Sequence, residues 1–148
     1  MRAVIQRVSS AEVIVGERCI GRIGRGFVVL LGVARDDTAH DAVLVADRVL
    51  GLRVFADEAG KMNLALDAVG GELLVVSQFT LLADTSAGRR PSFIRAAPPE
   101  TARALYEHFL SLVRERGVKV EEGEFGAHMK LGLVNDGPVT ITLDSRAR

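Results

Sequence analysis

The sequence predicts an α+β fold on three observations: stretches alternating apolar and polar residues crowd the first part of the chain, two later stretches repeat apolar residues at helical spacing, and alternation returns at the end. Arg2 to Val8, Ala11 to Val15, Arg18 to Ile23 and Phe27 to Val33 read as strands, punctuated by Ser9-Ser10, Gly16-Glu17 and Gly24-Arg25-Gly26. An antiparallel meander is the simplest arrangement. From Thr38 the period changes, with Ala39, Ala42, Val43, Ala46, Val49 and Leu50 on one stripe behind the N-cap candidates Asp36-Asp37-Thr38. That helix is expected to lie across the sheet. Arg53 to Phe55 and Glu72 to Val76 follow as short apolar strands. Ala83 to Ala97, rich in Arg, Ser, Gly and Pro, reads as a functional loop. Pro98-Pro99-Glu100 opens a second helix with Ala102, Leu105, Phe109, Leu112 and Val113 inward, and Gly117 is placed to end it in a left-handed cap. Lys119 to Glu122, Met129 to Val134 and Val139 to Asp144 close the chain as strands. The last two flank Asn135-Asp136-Gly137-Pro138, which reads as a hairpin turn with Pro138 capping a strand. X-Pro bonds are cis in only about 5 to 6% of folded cases, so composition favours trans, while a preceding Gly and a tight turn pull toward cis.

A chain of 148 residues can bury roughly 68 to 70% of the surface it would expose unfolded, enough for one domain spanning residues 1–148. Hydrophobic content of 48% and a mean hydropathy of +0.21 are high for a soluble protein. The longest apolar run, Phe27 to Ala34, is nevertheless far short of the roughly 20 residues a membrane helix needs, so it reads as a buried strand. Arg2, Gln6 and Arg7 interrupt what would have to be an apolar signal core, and a cytoplasmic protein is expected. Cys19 is the single cysteine, which excludes a disulfide framework or a cysteine metal cluster. Zero net charge and a pI near 6.8 argue against wrapping nucleic acid in a general positive field, so any RNA contact must be local. Sixteen of the nineteen basic residues are Arg, a choice that suits bidentate phosphate contact and that genome composition explains equally well.

Several tempting motifs carry no chemistry. Gly21-Arg22-Ile23-Gly24-Arg25-Gly26 lacks the GxGxxG spacing and runs into a strand instead of a helix, so it reads as a hairpin turn. His40, His108 and His128 are scattered without metal-ligand spacing. Neither a metal nor a cofactor is expected. Ser77 and Thr80 lie outside any Gly-x-Ser-x-Gly elbow and have no evident His-Asp partners, which makes an acyl-enzyme the weaker proposal. The stronger signal is position: Ser77-Gln78-Phe79-Thr80-Leu81 puts hydrogen-bonding groups directly after a buried strand, where sites often form.

That pentapeptide and Asn135-Asp136-Gly137-Pro138-Val139-Thr140 together resemble the paired signature of the D-aminoacyl-tRNA deacylases. The likeness extends over the whole chain, through Met1-Arg2-Ala3-Val4-Ile5-Gln6-Arg7-Val8, Gly88-Arg89-Arg90-Pro91-Ser92-Phe93 and Phe125-Gly126-Ala127-His128-Met129. The resemblance implies a closed, barrel-like sheet, an obligate homodimer, and hydrolysis of the ester joining a D-amino acid to the tRNA 3′ end, with no DNA or membrane partner. It also implies that the terminal 2′-hydroxyl helps activate water while backbone N–H groups of Phe79 and Thr80 hold the developing oxyanion. Ser77 and Gln78 would contact substrate, and Phe125, Gly126 and Met129 would form apolar walls for the terminal adenine. Core packing also accounts for Met129.

Chirality, by the same resemblance, is read by a cis Gly137-Pro138 bond whose carbonyls enter the partner subunit's pocket, with Arg7 bracing them. An L side chain would collide with those carbonyls. Glycine has no side chain to collide, so cleavage of glycyl-tRNA, including glycine mischarged on tRNA-Ala, is expected. His128 replaces the acidic residue often found at that point of the family and is given no role. Arg89 and Arg90 fit either acceptor-stem phosphates or a solvated loop. Two other readings stay open: a noncatalytic module holding an RNA end, and an esterase for small amino esters.

Overall fold

The computed structural model describes residues 1–147. Its strands are β1 (Arg2–Val15), β2 (Arg18–Ile23), β3 (Gly26–Gly32), β4 (Phe55–Ala56), β5 (Met62–Leu64), β6 (Glu72–Ser77), β7 (Val120–Glu122) and β8 (Lys130–Asp144), with helices α1 (Ala39–Gly51) and α2 (Pro99–Glu115). The α+β class and the two helices stand as expected. Thr38 precedes α1 and donates its N–H to Asp41 Oδ2 at 2.8 Å, the reciprocal half of a capping box. Pro99 occupies the first turn of α2, and Gly117 beyond its end has φ +79°.

The sheet departs from expectation in being mixed. β1 runs antiparallel to β2, β3 and β8, but β3 pairs parallel with β6, and β6 parallel with β7. Each parallel pair is joined by a helical crossover, α1 between β3 and β6 and α2 between β6 and β7, as parallel strands require. Phe27, Val29, Leu31, Leu73 and Val75 face the helices; Val28, Leu74 and Val76 face a second core with Val8, Ala11, Val13 and Ile23. Strands covered on both faces carry unbroken apolar runs. Those runs are the sequence signal for the parallel centre. The sheet curls into a nearly closed barrel, so that a Cβ on Gly21 of β2 would lie 3.2 Å from the Glu122 carbonyl of β7.

Two turns expected from the sequence are absent. Ser9-Ser10 does not reverse the chain: β1 continues through it for 14 residues, with register shifts against β8 on either side of Val8. Nor is Asn135-Asp136-Gly137-Pro138 a hairpin. β8 runs straight through it for 15 residues, pairing Leu133 with Ala11 and Ile141 with Ile5 on the same long neighbour. Because Val8 pairs with Asn135 and Gln6 with Thr140, the residues Asp136 to Val139 all stand opposite Arg7 alone. This is a large bulge of four residues against one, and Pro138 sits within it instead of capping a strand.

Candidate active site

β6 ends at Ser77, where Gln78 still donates its N–H to Leu31 of β3 at 2.9 Å, and Phe79–Leu82 then winds into a 3₁₀ turn. The end of β3 decides how closely this turn can pack. A Cβ on Gly32 would meet Leu82 Cδ2 at 2.8 Å and the Gln78 carbonyl at 3.0 Å, so glycine there lets the turn settle onto the strand. As the first residues of the turn, Phe79 and Thr80 have N–H groups that bond to no other described residue. The Thr80 hydroxyl accepts from Gln78 Nε2 at 2.5 Å, and the Phe79 ring, 55% exposed, meets Phe93 edge-on with centroids 5.0 Å apart.

Beside the turn opens a cleft of about 600 Å³, whose lining includes Ser77, Gln78, Phe79, Phe125, Gly126 and Met129. Phe125 is fixed from behind by Tyr106, at a centroid distance of 5.9 Å, and by the Arg103 guanidinium 4.7 Å above its ring. Tyr106 in turn donates its hydroxyl to the Val75 carbonyl at 2.9 Å, and burial pushes that phenol well above its ordinary range. Met129 packs so close to Gly123 that a Cβ there would stand 2.7 Å from its sulfur. Polar groups thus line one edge of a largely aromatic slot, an arrangement suited to a flat apolar group carrying a reactive polar end.

Ser77, Gln78, Phe79, Phe125 and Met129 are therefore brought together, and Thr80 stands one residue beyond with an exposed side chain. Arg7, Gly137 and Pro138 do not line this cleft. They form a second feature in the β8 bulge: Arg7 Nε donates to the Asp136 carbonyl at 2.8 Å, and its Nη1 donates to the Val54 carbonyl. The Asn135 carboxamide spans the bulge, accepting from Val139 N at 2.7 Å and donating to Val139 O at 3.3 Å. The Gly137–Pro138 peptide is cis, the isomer the resemblance implies, and Asp136, Gly137 and Pro138 are exposed. Gly137 has φ +146°, and a Cβ on it would lie 2.8 Å from Val139 N.

Sequence reasoning missed Gly32, Gly123 and the Tyr106–Arg103 support of Phe125, and it quoted Phe93 only within a family-like loop, without a role. Gly32 interrupts an apolar run, which marks a close approach in general without naming the neighbour, whereas Gly123 lies among glutamates and carries no such mark. His128 lines the cleft as well, although the sequence reading gave it no role.

A mixed, nearly closed sheet carrying this turn and cleft makes an α+β domain with a candidate active site, and the comparisons with known proteins give its class. Residues 4–144 match the family described as D-Tyr-tRNA(Tyr) deacylase. The D-aminoacyl-tRNA deacylase of Thermotoga petrophila is 60% identical over 145 residues, covering 98% of this chain and 97% of that one. That of Anaeromyxobacter dehalogenans is 62% identical over 146 residues, covering 99% and 98%. The solved structure of a protein named c-Myc DNA Unwinding Element Binding Protein superposes with a TM-score of 0.94 at 43% identity, covering 99% of this chain and 100% of that one. A probable eukaryotic D-amino acid tRNA deacylase shares the fold, with a TM-score of 0.85 at 20% identity, over 96% of this chain and 97% of that one. The chain belongs to the D-Tyr-tRNA(Tyr) deacylase family and is accordingly a hydrolase. No helix among the described residues is long and apolar enough to cross a membrane.

Proposed function

We propose that this protein hydrolyses the ester of D-aminoacyl-tRNA in the cytoplasm, as a homodimer of one 148-residue domain, releasing the free D-amino acid and tRNA. The observation that carries this reading is the pair of unengaged N–H groups on Phe79 and Thr80 beside an apolar cleft of about 600 Å³. Donors fixed in advance at a developing oxyanion need no reorganisation, and one of them is typically worth about 10² to 10³ in rate. The terminal adenine seats against Phe125 and Met129, Ser77 and Gln78 contact the aminoacyl end, and the ribose 2′-hydroxyl helps activate water. Gly137 and Pro138 from a second copy of the chain exclude L side chains, with Arg7 holding their segment in place. Support for this comes from the exposure of the segment and from its polar bracing by Arg7 and Asn135.

The test is deacylation of matched D-alanyl-, L-alanyl- and glycyl-tRNA. Release from the D and glycyl esters with the L ester spared is expected. Equal release from D and L esters would overturn the filter, and complete sparing of glycine would demand a filter other than side-chain exclusion. A second reading, a module that holds a nucleic-acid end without cleaving it, is favoured by the structural relative whose name describes binding to a DNA element. Product release from D-tyrosyl-tRNA distinguishes the two.

A further inference from the structure

Outside the cleft lies a second concavity, a basic one. It has a volume of about 600 Å³, and its wall includes Arg2, Arg35, Arg95 and Arg146 with the carboxylates Asp36 and Asp144. Both carboxylates are already engaged, Asp144 by Arg2 at 3.2 Å and Asp36 by Arg146 at 2.6 Å. Arg35 and Arg95 are exposed, and among the described residues neither forms an ion pair. Their backbones are tied: Arg35 N donates to Arg95 O at 2.9 Å, and the adjacent residues Ala34 and Ala96 form a β-bridge. Two exposed arginines without an ion pair thus spring from backbones tied to each other, Arg95 also lying near enough to Asp84 to help lower its carboxyl, on a chain whose net charge is zero.

The position of this concavity indicates what it serves. Phe93 lines the catalytic cleft and Arg95 the basic concavity, with Cα atoms no more than roughly 7 Å apart along the chain. Phe79 begins the 3₁₀ turn at the cleft, and Leu82 ends it at the basic wall, where Arg2 Nη1 donates to the Leu81 carbonyl at 3.0 Å. The two concavities are neighbours: residues adjacent in the chain line one or the other, Val33 and Ala34, Phe93 and Ile94, Arg95 and Ala96.

We propose that Arg35 and Arg95 clamp the phosphodiester backbone of the substrate tRNA just inside its terminal nucleotide, with Arg2 and Arg146 completing the positive wall. The inference rests on the deacylase reading and adds to it the surface that takes the RNA body. A planar guanidinium suits bidentate phosphate contact, and phosphate contacts fix register without reading bases. A clamp beside the cleft would set how deeply the 3′ end enters.

The test compares wild type, the Arg35→Gln, Arg95→Gln double variant, and a control, Arg22→Gln, whose exposed side chain pairs with Glu12 far along β1 and β2. Binding of unacylated tRNA is measured across a salt series, beside turnover of D-aminoacyl-tRNA and of a D-aminoacyl ester of adenosine, which has no phosphate. The double variant is expected to bind tRNA about tenfold more weakly and to lose roughly 0.7 to 0.9 per phosphate contact from the salt slope. Its turnover of the adenosine ester should match wild type, and Arg22→Gln should match wild type throughout. Unchanged affinity and slope would overturn the clamp, as would equal loss on the adenosine ester or equally tight binding of duplex DNA. Binding of unacylated tRNA does not depend on turnover. A wild type that cleaves neither ester would count against the deacylase reading, while the binding comparison still decides the clamp.

Discussion

Arg7 Nε donates to the Asp136 carbonyl at 2.8 Å, and the same guanidinium reaches the Val54 carbonyl, so one side chain ties the β8 bulge to the segment before β4. Lysine carries a single ammonium and cannot present two donors in this fixed fork. Charged hydrogen bonds are worth about 1.5 to 3 kcal/mol each, which corresponds to roughly 10- to 100-fold in rate. Arg7→Lys should therefore lower kcat/KM for D-aminoacyl-tRNA by that factor and narrow the ratio of D to L turnover. An unchanged ratio would show that the bulge holds its shape without the brace.

Gly137 cannot be replaced cheaply. Its φ of +146° is a region L side chains rarely enter, and an added Cβ would press on Val139 N at 2.8 Å and Arg7 Nη2 at 3.2 Å. Gly137→Ala is expected to fold, because the residue is exposed, and to lose roughly 5- to 150-fold in D-selective turnover, given backbone strain of order 1 to 3 kcal/mol at the filter. Circular dichroism and matched D and L assays check both halves. Wild-type selectivity in a folded variant would remove Gly137 from the filter.

If backbone donors on the 3₁₀ turn do the chemistry, the Thr80 hydroxyl is dispensable and the seat of the turn is not. Thr80→Ala should keep activity within about tenfold, while Gly32→Ala, which drives Leu82 and Gln78 off β3, should lower kcat by about 10² with a smaller change in KM. Near-total loss in Thr80→Ala would instead favour a nucleophilic hydroxyl.

These sites differ in how legible they were. The strand that ends at Ser77 and the polar residues after it follow from local pattern, and Ser77 and Gln78 do line the cleft, with Thr80 just beyond it. The hairpin expected at Asn135-Asp136-Gly137-Pro138 was the natural reading of a turn-forming tetrapeptide, and it was wrong because turn chemistry serves a bulge as well as a reversal. Only the long partner β1 decides between them, and pairing across more than a hundred residues leaves no local trace. The mixed sheet was legible in part: Phe27-Val28-Val29-Leu30-Leu31 and Leu73-Leu74-Val75-Val76 lack the alternation of a half-exposed antiparallel strand. Gly32 was not, since its importance lies in what approaches it from residues 78–82.

Tyr106 supports the cleft from behind, and its test is one of stability. Its hydroxyl is buried and donates to Val75 O at 2.9 Å, at the strand end that delivers Ser77. Tyr106→Phe keeps the ring against Phe125 and removes only the hydrogen bond, so a loss of about 1 to 2 kcal/mol in urea unfolding is expected, with kcat/KM for D-aminoacyl-tRNA little changed. A large fall in activity at unchanged stability would make this hydroxyl part of the chemistry.

The acid limb of stability should carry the signature of Asp41. Partial burial alone would raise its carboxyl, but donors from Ser145 Oγ at 2.6 Å and Thr38 N at 2.8 Å outweigh that and hold it at about 2, against an ordinary 3.8. Since the folded value lies below the unfolded one, the stabilisation is complete above about pH 4 and is lost as the pH falls through about 2. Asp36 and Asp144 are also held below the ordinary carboxylate value, so the informative quantity is the difference between wild type and Asp41→Asn. Urea midpoints of the two proteins should differ most near neutral pH and converge between about pH 4 and about pH 2. A gap that stays constant over that window would mean that Asp41 stabilises the fold through shape and neutral hydrogen bonds, not through its charge.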